Sequence, residues 1–238
     1  MNRYTRLCEL RNDPIEGIGP WVWITNDYQA WTGIRKDWVG SHKAAYIEHV
    51  TDWSVCVQAG GCMGMHPRLF SEMFGRVYTF EPDPLNFFCL TYNCQKDNII
   101  KFQSALGHEN KLISINRPNS QNTGVNTINE EAKGFIPMVT IDSLALDACG
   151  LIQLDLEFYE LNILRGALET IKKYKPVITC ELGSMQYFNE NKEKEYAGLN
   201  HGGNPEAATL EEDILALLEP FGYKKVGQSV ADGIYKVV

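Results

Sequence analysis

The sequence has no uninterrupted apolar run of the roughly 20 residues a bilayer-spanning helix needs, so no membrane partner is expected. It also has no Cys-x-x-Cys pair. Its seven cysteines, at 8, 56, 62, 89, 94, 149 and 180, are odd in number and scattered. That usage suggests neither a zinc site nor a disulfide framework, and it predicts a reducing, cytoplasmic setting. No apolar segment follows the Met-Asn-Arg-Tyr-Thr-Arg start, so no secretory signal is expected. Basic residues are in deficit: 22 Lys and Arg stand against 30 Asp and Glu, a net charge of -8. A chain of that sign does not hold nucleic acid or an anionic membrane by charge. No internal repeat or low-complexity tract occurs. With 44% apolar and 22% charged residues over 238 positions, there is material for one proper core, and a single domain is the default.

The informative stretch runs from Val55 to Asp83. Val55, Val57 and Ala59 fit a short buried strand. Gly60, Gly61 and Gly64 let the backbone turn tightly and approach a ligand. Pro67 suits the first position of a helix whose apolar stripe is Leu69, Phe70, Met73 and Phe74, and Gly75 stops it. Val77 to Phe80 reads as a second strand with Glu81 at its carboxyl end. Ligands of open parallel sheets bind at that edge, and a carboxylate there can accept both hydroxyls of a ribose. Two cofactor classes use this arrangement. Dinucleotide enzymes want Gly-x-Gly-x-x-Gly with an acid about 20 residues on. Here that register gives Ala59-x-Gly61-x-x-Gly64, a partial match. The other class is the S-adenosylmethionine (SAM) methyltransferases.

Further along, Asp83 and Pro84 suit the N-cap and first position of a helix carrying Leu85, Phe88, Cys89 and Tyr92. Ile99 to Gln103 reads as a third strand ending at Ser104-Ala105. Leu112 to Ile115 and Met138 to Ile141 are strand-like, separated by the polar stretch Arg117 to Gly124, either a solvated hairpin tip or a border of the acceptor pocket. Gly150 to Asp155 is a fourth core strand, then a helix with Leu161, Leu164, Leu168 and Ile171 on one face, then a fifth strand from Val177 to Glu181. Residues 184–208 form a long polar connection of the kind used as a lid. Thr209 and Glu212 make a capping box for a last helix carrying Leu210, Ile214 and Leu217 inward. Tyr223 to Val226 and Ile234 to Val237, joined by a turn at Asp232-Gly233, predict a closing antiparallel hairpin. Before residue 50, Trp21, Trp23 and Ile24 suggest a strand. Trp31 and Trp38 add aromatics, and Ser41 can cap a helix carrying Ala44.

These residues resemble one methyltransferase family, the FkbM type. Its pattern is roughly Asp-x-Gly-Ala-Asn-x-Gly, then Phe-Glu-Pro-x-Pro, then Leu-x-x-Asn. The chain has Gln58 to Gly64, then Phe80-Glu81-Pro82-Asp83-Pro84, then Leu90 to Asn93. It is similar to the family again at Asp155, Glu157, Glu160, Leu164, Gly166 and Ala167, and in a fifth strand ending in Glu. It departs at Gln58 for Asp, Gln153 for Lys and Phe158 for Gly. The resemblance implies an α/β, Rossmann-like class I methyltransferase sheet, mostly parallel with a C-terminal antiparallel hairpin and an extra β-hairpin insertion before the fourth core strand. Residues 51–238 would form that domain, and residues 1–50 an extension packed on or capping it. The implied cofactor is SAM, held by Gln58, Ala59, Gly60, Gly61, Gly64, Glu81, Pro82, Asp83, Ser104, Ala105 and Asp155. In this family Ser104 would lie beside the adenine, and the position of Gln58 supports the methionine end.

Transfer to an alcohol requires removal of its proton, and clustered acids suit that task because they raise one another's pKa. Asp155 and Glu157 are two apart at a strand end, and Glu157 and Glu160 are three apart. The same oxygens could hold a divalent metal. His66 stands before a helix N-terminus, a position that disfavours a charged ring. His201, in the connection, could reach an acceptor on closure. The expected activity is O-methylation of a small-molecule or carbohydrate acceptor, with a homo-oligomer left open. Two alternatives stand beside it: a catalytically silent methyltransferase-like binding module, and an NAD-linked oxidoreductase.

Overall fold

Val55–Ala59, the expected first strand, is buried at every residue and forms the centre of a seven-stranded sheet. The computed structural model describes residues 7–11, 20–28, 46–182, 210–229 and 232–238. His201, Thr209, Trp31, Trp38, Ser41 and Ala44 lie outside the described residues.

In chain order the strands are β1 (Cys8–Arg11), β2 (Trp21–Ile24), β3 (Val55–Ala59), β4 (Arg76–Phe80), β5 (Ile99–Phe102), β6 (Ala105–Leu106), β7 (Lys111–Asn116), β8 (Thr127–Asn129), β9 (Ile136–Val139), β10 (Leu151–Leu154), β11 (Val177–Glu181), β12 (Tyr223–Ser229) and β13 (Asp232–Val237). The helices are α1 (Met65–Phe70), α2 (Pro84–Asn93), α3 (Glu160–Arg165), α4 (Leu168–Tyr174) and α5 (Leu210–Leu218). The main sheet runs β12-β13-β11-β10-β3-β4-β5. The pairs from β11 to β5 are parallel, and β13 lies antiparallel to both β11 and β12. The strand order reverses beside β3, which places the ligand crevice at the carboxyl ends of β3, β4 and β10.

The sheet alternation separates two buried faces. Val57, Ala59, Ile152, Leu154, Ile178 and Cys180 join the larger core with α3, α4 and α5. Cys56, Val77, Leu151 and Val177 face the other way, under Tyr46, Phe70 and Phe74.

Several details differ from the sequence reading. The helix after β3 is Met65–Phe70, so Pro67 is its third residue rather than its first, and it ends before Met73 and Phe74. The insertion before β10 is larger than a hairpin: β6, β9, β7 and β8 make a separate four-stranded sheet. Ala105 therefore opens β6, paired with Met138, rather than closing β5. The expected single helix after β10 is two. Gly166 sits so close to Gly107 that a Cβ would lie 2.1 Å from the Gly107 carbonyl oxygen, and Asp142 caps a fresh helix start by accepting from Glu169 N and Thr170 N at 3.1 and 2.8 Å. Asp232 and Gly233 belong to β13, opposite Glu181 and Cys180, so the closing hairpin is longer than its hydrophobic pattern.

β1 and β2 form a ribbon against α2. Asn93 docks it: its Oδ1 accepts from Val22 N and its Nδ2 donates to Val22 O, both at 2.8 Å, while Nδ2 also donates to Met63 O. One amide side chain thus substitutes for a neighbouring strand.

Candidate active site

The turn after β3 is built on left-handed backbone. Gly60, Cys62 and Gly64 have φ of 82°, 44° and 99°. At Gly60 a Cβ would stand 2.0 Å from the Asp155 carbonyl oxygen, so only glycine fits. The turn presents the Cys62 amide to Glu81 Oε2 at 2.7 Å, and the Asp83 amide donates to Glu81 Oε1 at 2.8 Å. Each carboxylate oxygen keeps a lone pair for a ligand hydroxyl. Burial pushes the Glu81 carboxyl up to about 8, and the two amides only partly oppose the shift.

A cavity of about 260 Å³ opens at these strand ends. Of the residues expected to hold the cofactor, Gly60, Glu81, Pro82 and Asp155 line it, and Glu157 of the expected acids does too. Gln58, Ala59, Gly61, Gly64, Asp83, Ser104 and Ala105 stand outside the lining. Gln58 is wholly buried in the sheet, accepting from Thr79 Oγ1 at 2.6 Å and donating to Ala59 O at 2.9 Å. Asp83 caps α2 through Leu85 N and Asn86 N, and its other oxygen takes Arg117 Nε at 2.6 Å and Asn126 Nδ2 at 3.2 Å. It thereby clamps the insertion to the core. His66 is the second residue of α1, buried, with Nδ1 3.5 Å from Asp155 Oδ2.

The cavity also holds Asn86, Tyr159 and Glu181, which the sequence reading did not name as site residues, and the insertion segment Asn122 to Ile128, whose first three residues end the stretch read as a hairpin tip or a pocket border. Glu181 was visible as a strand-end acid, but nothing in the sequence joined it to Asp155. It sits beside Asp155 and hydrogen-bonds to it. Burial raises its pKa well above the usual range, reinforced by Asp155, Glu157 and Glu160. Glu160 is buried and raised for the same first reason, with Oε1 accepting from Leu156 N at 2.9 Å. Tyr159 donates its hydroxyl to Glu130. Among the described residues, the charged groups lining the cavity are all acidic: Glu81, Asp155, Glu157 and Glu181.

Phe158 has φ of 64°, left-handed backbone at the position where the family pattern has glycine. Beneath the site, Thr79, Gln58, Gln153 and Thr179 form one buried polar row across β4, β3, β10 and β11. Two residues on, Asp155 and Glu181 continue that row at the strand tips. Gln153 is buried in that row, and among the described residues neither of its amide atoms has a partner.

The strand order with its reversed terminal hairpin, the left-handed glycine turn and the carboxylate at the tip of β4 define a class I SAM-dependent methyltransferase fold. Residues 62–225 match the methyltransferase FkbM domain model, and the chain belongs to that family. Its cofactor is accordingly S-adenosylmethionine, which displaces the NAD-linked alternative. Among solved structures, an FkbM methyltransferase from Methylobacillus flagellatus is similar at 19% identity and a TM-score of 0.52. The match covers 78% of this chain and 44% of that one, so this chain spans less than half of that relative. A SAM-dependent methyltransferase from Anabaena variabilis is similar at 10% identity with a TM-score of 0.49, covering 84% of each chain. Among curated proteins, none matches. No helix among the described residues is long and apolar enough to cross a membrane.

The residues present fit the cofactor. Glu81 offers two oxygens to a ribose, and Pro82 gives an apolar surface beside them. Unpartnered amide oxygens of Asn86 and Asn126 belong to residues of the same wall.

Proposed function

We propose that this protein methylates a hydroxyl oxygen of a small-molecule or carbohydrate acceptor, with Asp155 as the base. The observation that carries this reading is the Asp155–Glu181 pair on the cavity wall. Two adjacent carboxyls favour holding one proton between them, because ionising both in a desolvated site is costly. Bound there, S-adenosylmethionine supplies a methyl group on a sulfonium that departs as a neutral thioether. Asp155, flanked by His66 and Glu181, takes the acceptor's hydroxyl proton as the oxygen attacks. Glu181 retains its own proton and spreads the charge. Glu81 fixes the ribose, and Glu157 faces the acceptor side. The wall of acids disfavours acceptors that bring a carboxylate or phosphate and suits neutral ones. His201 stays a proposal only from its place in the sequence.

The second reading, a catalytically silent binding module, draws support from Gln58 and Gln153, where two charges of the family pattern are gone. One experiment separates the two. Acceptors bearing hydroxyl, amine or carboxylate groups are incubated with methyl-labelled SAM. Label on neutral hydroxyl compounds, lost in Asp155→Asn while SAM affinity is retained, is the expected result. Label found only on nitrogen overturns the O-methylation reading, and label found only on carboxylate oxygen overturns the hydroxyl acceptor. SAM binding without transfer to any acceptor favours the silent module.

A further inference from the structure

The family match begins at residue 62, so the ribbon of β1 and β2 lies outside it. The ribbon nevertheless reaches the cavity wall. Asp27, just past β2, is wholly buried. A buried carboxylate is costly unless its oxygens are hydrogen-bonded. Asp27 Oδ2 accepts from Thr123 N at 2.7 Å and from Thr123 Oγ1 at 2.8 Å. Beside it, Tyr28 N donates to Gln121 O at 3.1 Å. Asp27 is fixed at its root by Arg11, whose Nη1 donates to the Asp27 carbonyl at 2.7 Å and whose Nη2 donates to that of Thr25 at 2.9 Å. Asn93 in turn fixes the ribbon to α2.

Thr123 belongs to the turn Asn122 to Val125, which lines the cavity. Its carbonyl accepts from Asn86 Nδ2 at 3.2 Å, and the Asn86 side chain also hydrogen-bonds the Glu81 carboxyl. Asp27, Asn86 and Glu81 are all buried. A chain of hydrogen bonds therefore runs from Asp27 through Thr123 and Asn86 to the acid at the tip of β4. Asp83 holds the insertion at other points, through Arg117 and Asn126. Loss of the Asp27 carboxylate thus frees this turn and leaves the small sheet anchored.

We infer that Asp27 is a positioning residue for the cofactor: it holds the Thr123 turn against Asn86 and so keeps the Glu81 wall of the cavity in place. The inference rests on the cofactor reading above. It gives the N-terminal ribbon a part in ligand binding that the matched domain does not supply alone. Asp27 is not among the residues lining the cavity, so it acts through Thr123 and not on the ligand. It acts as a hydrogen-bond acceptor, and an amide oxygen in the same place serves as well.

The test measures S-adenosylhomocysteine affinity of the full chain by calorimetry, with hydrogen exchange at the Thr123 amide and melting curves alongside. Asp27→Ala should bind about tenfold more weakly, the scale of one lost hydrogen bond to a charged acceptor, with faster exchange at Thr123. Asp27→Asn keeps an acceptor oxygen and should stay within about threefold of the wild type. Thr123→Val, which removes the hydroxyl donor, should weaken binding about threefold in the wild type and not further in Asp27→Ala, because the two residues share one contact. A merely structural residue gives neither the rescue nor the coupling. Wild-type affinity in Asp27→Ala, an asparagine variant as weak as the alanine one, or additive losses in the double variant overturn the inference and leave the cofactor reading standing. Failure of the wild type to bind S-adenosylhomocysteine overturns the cofactor reading, and this inference with it. Thr123 is half-buried, so Thr123→Val alone decides if Asp27→Ala does not fold: wild-type affinity in that variant overturns the inference.

Discussion

Gln58 and Gln153 are register partners across the β3–β10 ladder, both wholly buried and on the same face of the sheet. In the family pattern these positions carry Asp and Lys. The two departures are therefore one: an adjacent acid and base have become two neutral amides. A charge introduced at either position alone has no counter-ion, and a lone buried charge costs about 3–5 kcal/mol. Gln58→Asp and Gln153→Lys should each destabilise by about that amount. The double variant should recover about 1–3 kcal/mol of the summed loss. Urea unfolding of the four proteins checks this, and strict additivity would show that the two side chains do not meet.

Phe158 holds left-handed backbone that a non-glycine residue adopts at a cost of about 1–2 kcal/mol. Its ring packs on the main core, so removing the ring has a cost of its own. Comparing two truncations cancels that loss. Phe158→Gly should be more stable than Phe158→Ala by about 1–2 kcal/mol, the reverse of the usual order of these residues. Thermal or denaturant melting of the pair measures the difference.

Much of this was legible in the sequence, because period-two strands, the glycine turn and Asp83-Pro84 each carry their own local signal. The strands β3, β4, β10 and β11 lie within a residue or two of their expected bounds. The break at Gly166 was not legible, since it depends on contact with Gly107 and on Asp142, both distant in sequence. Nor were Asn86, Asn126 and Tyr159 as cavity residues, because only the tertiary fold brings α2 and the insertion together. The family-like Leu90-x-x-Asn93 acquires its reason only in the fold, where Asn93 docks β2.

Asp142 caps α4 through Glu169 N, Thr170 N and Thr170 Oγ1. Asp142→Ala should cost about 1–2 kcal/mol, and Asp142→Asn clearly less. Equal stability of the alanine variant and the wild type in a melting experiment would show that the helix break does not depend on this cap.

Glu81 titrates near 8 because burial disfavours its charge. Its folded pKa is raised, so its contribution to stability is full below the ordinary carboxyl range. That contribution is lost as pH rises from about 4.5 through about 8. Ribose hydroxyls donate to the ionised form, so cofactor affinity should move the opposite way and strengthen as pH rises through 8. Calorimetry of S-adenosylhomocysteine between pH 6 and pH 9 should show this for the wild type and a flatter profile for Glu81→Gln, whose side chain does not ionise. Parallel profiles would assign the titration to another group.

The central claim is that Glu81 holds the ribose of the cofactor. It is tested most directly by titrating S-adenosylhomocysteine into the wild type and Glu81→Ala at pH 8.5, with melting curves as the control for folding. Two lost hydrogen bonds to a charged acceptor predict an affinity about 100-fold weaker in the variant, with the fold retained. A folded Glu81→Ala protein that binds as tightly as the wild type would contradict the account.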